Sequence, residues 1–189
     1  MASNPKRRYT VKEYFEIEKA SPIKHEFIYG EIIAMGGASE RHNTIANNVN
    51  VRLWLQILGT NCRCYISDMR TRINDQLYYY PDVVVACNIR LEIMDNLETL
   101  VNPILVAEVL SRSTARYDRD TKLREYQQIE SLRYYLLVAQ NELNATLFTK
   151  QDDNSWSTTI YNNLSNIIEL PLINNARLLL SDIYLNTNF

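Results

Sequence analysis

The feature that most constrains this chain is a pair of apolar runs that each carry one carboxylate. Tyr80-Pro81-Asp82 heads Val83-Val84-Val85-Ala86, and Ile104-Leu105-Val106-Ala107-Glu108-Val109-Leu110 follows downstream. Runs this apolar predict strands covered on both faces. A lone charge in such a strand is costly to bury unless it meets a partner. Strand side chains alternate faces, which puts Asp82 with Tyr80 and Val84, and Glu108 with Val106 and Leu110. Either acid alone reads as structural, since Pro-Asp opens many strands and turns and a buried glutamate can pair with an arginine. Set side by side by strand pairing, the two acids make an oxygen site for a hard divalent cation. The Val109 backbone carbonyl would stand beside them, with waters filling the remaining positions.

The flanking pattern alternates helices and strands. Thr10 and Glu13 predict a capping box at the start of a helix that ends at Ser21-Pro22. His25 to Met35 reads as a hairpin turning at Gly30. Ile45, Val49, Leu53 and Ile57 recur every four residues and predict a helix over 40–58, closed by Gly59. Strands are predicted over 63–73, 78–86 and 104–110. A charged helix after Ser113 follows, with Leu123, Tyr126 and Ile129 facing inward. Further strands are predicted over 134–139, 145–149 and 156–161, and Ser181 is placed as the cap of a short last helix. The order implies an α/β fold: a central mixed β-sheet flanked by helices.

Length and composition bound the function. With 189 residues, 46% of them hydrophobic, the chain suits one domain over residues 9–189, preceded by a flexible stretch at 1–8. A net charge of -2 gives no global field to draw in nucleic acid, so a DNA-coating protein is disfavoured and an enzyme with a local basic patch is not. No apolar run is long enough for a membrane span and no secretory leader is recognisable, so a cytoplasmic location is expected. Three cysteines, Cys62, Cys64 and Cys87, argue by their odd count against a disulfide framework, and Cys62 and Cys64 read as small packing residues on one side of a strand.

The densest basic stretch comes just after Glu108: Arg112, Arg116, Arg119, Lys122 and Arg124, interrupted by Asp118 and Asp120. Cations placed there can stabilise charge on a transferring phosphate. The bland alternative for Lys122 is an ion pair with Asp118 on a solvated helix face, worth ~0.3–0.5 kcal/mol. His25 and His42 are the only histidines and neither has a partner at metal-ligand spacing, so His42 reads as a capping or packing residue. Glu26 and Glu31 flank the Gly30 turn, within reach of a site or simply as hairpin acids. Asp68 is a further strand acid with no assigned role.

These strings resemble a known family. Tyr80-Pro81-Asp82-Val83-Val84-Val85, then Glu108-Val109-Leu110-Ser111 with Ser113-Thr114, then Asp118, Lys122 and Tyr126 at steps of four, look like the Uma-two family of restriction-endonuclease-like proteins. Glu26-Phe27-Ile28-Tyr29-Gly30-Glu31-Ile32, His42-Asn43 and Ser67-Asp68-Met69-Arg70 match as well. The resemblance implies membership of the PD-(D/E)XK nucleases, a restriction-endonuclease-like fold and a magnesium site, with manganese as a substitute. Its Pro-Asp falls on Pro81-Asp82 and its second acid on Glu108, both as metal ligands with the Val109 carbonyl. The superfamily's lysine would fall on Leu110, which cannot supply a charge, and the family pattern places it on Lys122 instead. The family's glutamate after the glycine falls on Glu31. Arg112 stands where proline is usual, Tyr135 where an aromatic, often tryptophan, is usual, and Ala139 where an acid is common.

Three outcomes are open at this stage. The first is a magnesium-dependent endonuclease acting on DNA, with Asp82, Glu108, Lys122 and Glu31 in the site and a homodimer to cut both strands. The second is a catalytically weak or inactive nuclease-fold protein that binds nucleic acid or a protein partner. The third is an interaction protein with a structural role.

Overall fold

The computed structural model describes residues 7–111 and 115–187. Helix α1 (Val11–Ala20) leads into the hairpin β1 (His25–Ile28) and β2 (Glu31–Ala34), then the long helix α2 (Glu40–Ile57). Strands β3 (Cys62–Ile66), β4 (Thr71–Asn74), β5 (Leu77–Tyr79), β6 (Val83–Cys87), β7 (Leu91–Met94), β8 (Leu97–Leu100) and β9 (Leu105–Leu110) follow. A helical segment then comprises α3 (Ala115–Tyr117), a π-helical turn (Asp118–Lys122) and α4 (Leu123–Tyr126). The chain continues through β10 (Tyr134–Ala139), β11 (Ala145–Lys150), β12 (Trp156–Tyr161), β13 (Ile167–Leu170) and β14 (Ala176–Leu179), ending in α5 (Leu180–Ile183).

The capping box at the front forms as expected: Thr10 Oγ1 accepts from Glu13 N, and Glu13 Oε2 accepts from Thr10 N. The β1–β2 turn needs positive φ at both central residues, Tyr29 at 48° and Gly30 at 86°. A Cβ on Gly30 would stand 3.2 Å from Arg8 Cβ, so glycine also admits the incoming N-terminal segment.

The strands divide between two six-stranded sheets and a two-stranded ribbon, rather than one central sheet. One sheet runs β2-β1-β5-β4-β8-β7 and the other β12-β11-β10-β9-β6-β3. Two long strands expected from the sequence are therefore each cut in half. The 63–73 run breaks at Ser67, whose φ of 52° turns the backbone. The 78–86 run breaks at Pro81, which has no N–H for a ladder. Both breaks carry the chain between the sheets, and they touch, with Ser67 N donating to Asp82 O at 3.1 Å.

The second sheet separates two apolar layers. Val83, Val85, Leu105, Ala107 and Val109 pack toward Ile45, Val49 and Leu53 of α2. Val84, Ala86, Val106 and Leu110 pack toward Tyr79, Tyr126 and Ile129. Within it β9 and β10 are parallel, while β6 pairs antiparallel with β9.

Three further expectations are corrected. The hairpin β7–β8 was not read from the sequence, although Asp95 and Asn96 both take the positive φ of a tight hairpin turn. Ser181 lies inside α5, whose N-cap is Leu179. Cys62 and Cys87 form a disulfide: the β3–β6 register places them directly opposite one another, a pairing that an odd count cannot reveal. Cys64 remains the free thiol.

Candidate functional site

Strand pairing brings the two acids together. β6 and β9 match Val83 with Ala107 and Val84 with Val106, so the register continued by one step sets Asp82 opposite Glu108. The two then hold each other's backbones. Asp82 N donates to Glu108 Oε2 at 3.3 Å, and Val109 N donates to Asp82 Oδ2 at 2.7 Å. The break at Pro81 ends the ladder here, freeing this end of the sheet to face a cavity of about 500 Å³.

Lys122 arrives from the helical segment. It is buried, and its Nζ lies 3.1 Å from Glu108 Oε1, 3.5 Å from Glu26 Oε1 and 3.8 Å from Asp118 Oδ1. Tyr126 Oη also donates to Glu108 Oε1, at 2.9 Å. The π turn explains how one helix sends Asp118, Lys122 and Tyr126 inward together. Steps of four overshoot one turn of an α-helix at about 3.6 residues per turn, and the wider π turn offsets that drift. The solvated-face reading of Lys122 therefore does not describe it. Arg116, Arg119 and Arg124 stay exposed. Arg112 and Ser113 lie outside the described residues. Leu110 is buried in the apolar layer beside Tyr126.

Two residues outside the expected catalytic set line the cavity. His42 is the third residue of α2, where its backbone N–H is capped by Ser39 Oγ, and its Nε2 lies 3.0 Å from Asp82 Oδ2. Glu26 on β1 reaches Lys122. Glu31 shares the hairpin face with Glu26 and Ile33, but lies at the turn end and is not among the residues lining the cavity. Alternation could have separated Glu26 from Glu31 only with the depth of each along the strand in hand. His42 comes from a distant helix, and although His42-Asn43 belongs to the family resemblance, its spacing gives it no metal-ligand partner. Asp68 is elsewhere, in an ion pair with Lys24.

The electrostatics follow from crowding. Burial pushes the Glu108 carboxyl up to about 7; Lys122 opposes this, while Asp82, Asp118 and Glu26 add to it. Burial works against the Lys122 ammonium, yet Glu108, Glu26 and Asp118 outweigh it and hold the lysine protonated. For His42 burial lowers the pKa, and the hydrogen bond and charge of Asp82, with the charge of Glu108 and the backbone of Val109, more than reverse this.

Among the described residues, four carboxylates, Glu26, Asp82, Glu108 and Asp118, thus face one ammonium in the cavity wall. Among the described residues no group of three or more His, Cys, Asp or Glu side chains is arranged as a ready metal cage. Magnesium does not demand one: it keeps several waters and takes one or two carboxylates, which is the donor set that Asp82 and Glu108 offer.

The fold is restriction-endonuclease-like. It is similar to a crystal structure described as a "putative nuclease belonging to DUF820" from Anabaena variabilis, with a TM-score of 0.72 at 15% identity, over 90% of this chain and 97% of that one. Residues 11–181 match the Uma2 family, described as "Putative restriction endonuclease". Two uncharacterized proteins of Synechocystis sp. are similar over most of their length. The protein slr1290 is 36% identical over 155 residues, 82% of this chain and 80% of its own. The protein sll1609 is 38% identical over 152 residues, 79% and 85% respectively. The chain belongs to the Uma2 family.

Proposed function

We propose that the protein is a magnesium-dependent endonuclease that hydrolyses DNA phosphodiester bonds. The observation that carries this reading is the charge imbalance of the cavity. Among the described residues four carboxylates against one ammonium repel a phosphate, and a divalent cation held by Asp82 and Glu108 would offset most of that charge. Asp82, Glu108 and the Val109 carbonyl would hold the ion, with manganese able to replace magnesium. When bound, the ion would supply Lewis-acid polarisation of the phosphodiester and a more acidic water as nucleophile.

The chain's own groups supply the rest. Lys122 sets a protonated ammonium beside the pair, where it stabilises charge gathering on the phosphate. Tyr126 and the Asp82 backbone N–H hold the Glu108 carboxylate in one orientation. Glu26 takes the place expected of Glu31 as the further acid, because it touches Lys122 and lines the cavity.

Each chain offers one such site, and two related by a twofold axis would cut both strands of a duplex, so we propose a homodimer. Val51, Trp54, Leu55 and Leu58 support it. They form an apolar stripe at helical spacing on α2 and its C-cap, Leu58, each 40–54% exposed. Light scattering on the eluting protein measures its mass, and Trp54→Glu should shift a dimer to monomer. Among the described residues no helix is long and apolar enough to cross a membrane; a DNA substrate places the protein in the cytoplasm on this reading.

The test is nicking of supercoiled plasmid under magnesium and manganese titration. Cleavage that needs the ion and disappears in Asp82→Ala supports the proposal. Salt-sensitive DNA binding without cleavage or ion dependence would favour a non-catalytic nuclease fold instead.

A further inference from the structure

His42 does more than pack. It stands at the start of α2, in a segment fixed from both sides. Ser39 Oγ caps the His42 backbone N–H at 3.2 Å and itself donates to Gln140 Oε1 at 2.9 Å, while Arg41 Nη1 donates to the Gln140 carbonyl at 3.3 Å. One helical turn on, Ile45, Ala46 and Val49 anchor the same helix in the apolar layer under β6 and β9. The His42 ring is therefore delivered to Asp82 by a rigid element, with Nε2 at 3.0 Å from Oδ2.

The other ring nitrogen is informative. Nδ1 is buried and meets no hydrogen-bond partner among the described residues. A buried polar atom left without a partner is unusual and calls for a compensating role. Nε2 does have a partner, a carboxylate of the proposed ion site, and the Val109 backbone favours the charged ring as well. Oδ2 of Asp82 then receives two donors, His42 Nε2–H and Val109 N–H, which fix the plane of the carboxylate.

We infer that His42 is a positioning residue for the ion site, donating from Nε2 to Asp82 so that the carboxylate is presented to a divalent cation in one orientation. This inference rests on the reading of Asp82 and Glu108 as ion ligands. Partners that orient a ligating group in this way commonly govern metal affinity as well as rate.

Calorimetric titration with calcium, which reports binding without turnover, tests it in the full chain. Two variants of similar size are compared: His42→Leu removes the donor and His42→Gln retains an N–H at a similar reach. Loss of about tenfold or more in calcium affinity for His42→Leu is expected, with His42→Gln returning most of it and both melting near wild type. Equal affinity in wild type and His42→Leu would overturn the inference while leaving the ion site standing. So would a His42→Gln as weak as His42→Leu, because the donor would then be irrelevant. Wild type that binds neither calcium nor manganese would remove the ion site itself and the inference with it. If His42→Leu fails to fold, His42→Gln against wild type, with Asp82→Asn as the no-ion reference, decides alone: affinity at the level of Asp82→Asn contradicts the donor role.

Discussion

Around Glu18 and around Glu108 the chain builds two buried carboxylate clusters from similar parts, yet among the described residues only one of them is balanced. Glu18 accepts the Tyr80 hydroxyl at 2.7 Å and the His25 backbone N–H at 3.0 Å, and it meets His25 Nδ1 at 3.0 Å. Arg70, 3% exposed, donates to Thr99, Tyr80 and the Glu98 carbonyl and lies 4.4 Å over the Phe15 ring. One acid, one arginine and a chain of satisfied hydrogen bonds tie α1 to the first sheet. Around Glu108, three more carboxylates crowd a single lysine. Folding alone favours the first arrangement, since uncompensated buried charge is expensive. On the proposed reading a further cation completes the second.

The largest effect that could break this comparison is on cleavage. Asp82→Asn removes a negative charge from the crowded cluster, so it should abolish ion-dependent plasmid nicking while the melting temperature holds or rises. A coincident collapse of both would make the cluster structural, like that around Glu18. Lys122→Met should lower the cleavage rate by about 10²–10³-fold, the scale of one lost charge-stabilising donor. Single-turnover rates on plasmid measure it.

The balanced cluster should respond in the opposite sense. Glu18→Gln turns an acceptor toward the His25 N–H into a donor, at a cost of about 1–3 kcal/mol. That corresponds to roughly 3–10 °C in melting temperature for a chain of this size. Thermal melts read the loss, and nicking by the folded variant should be retained.

The smallest effect is a pH dependence. Burial holds the Glu108 carboxyl of the folded protein up at about 7, above its ordinary value of 4.5. Between those values the folded protein holds the extra proton, so this group's stabilisation is complete below about 4.5 and is lost as pH rises through about 7. Ion-free wild type should therefore lose melting temperature relative to Glu108→Gln across that window and keep a constant offset outside it. Excess magnesium, which needs the ionised carboxylate, should restore wild type above neutral pH.

What the sequence made legible follows from the range of the forces involved. Asp82 and Glu108 could be found because a charge in an apolar run is anomalous by itself, and alternation says which neighbours share its face. Helix α2 was equally plain from Ile45, Val49, Leu53 and Ile57. The breaks at Ser67 and Pro81 were hidden because apolar alternation runs on across them, although the halves enter different sheets. β7 buries no face, so it has no pattern to read. His42, Glu26 and the Cys62–Cys87 bridge depend on register and on the seating of a helix between distant segments. Lys122 was placed by resemblance to the family, and only the π turn explains physically why it faces inward.

The central claim is that Asp82 and Glu108 together hold a divalent cation. Anomalous diffraction from crystals soaked in manganese tests it most directly. The account predicts one strong peak in contact with both carboxylates, lost in Asp82→Asn. Absence of a peak at saturating manganese, or a peak elsewhere with Lys122 still seated on Glu108, would contradict it.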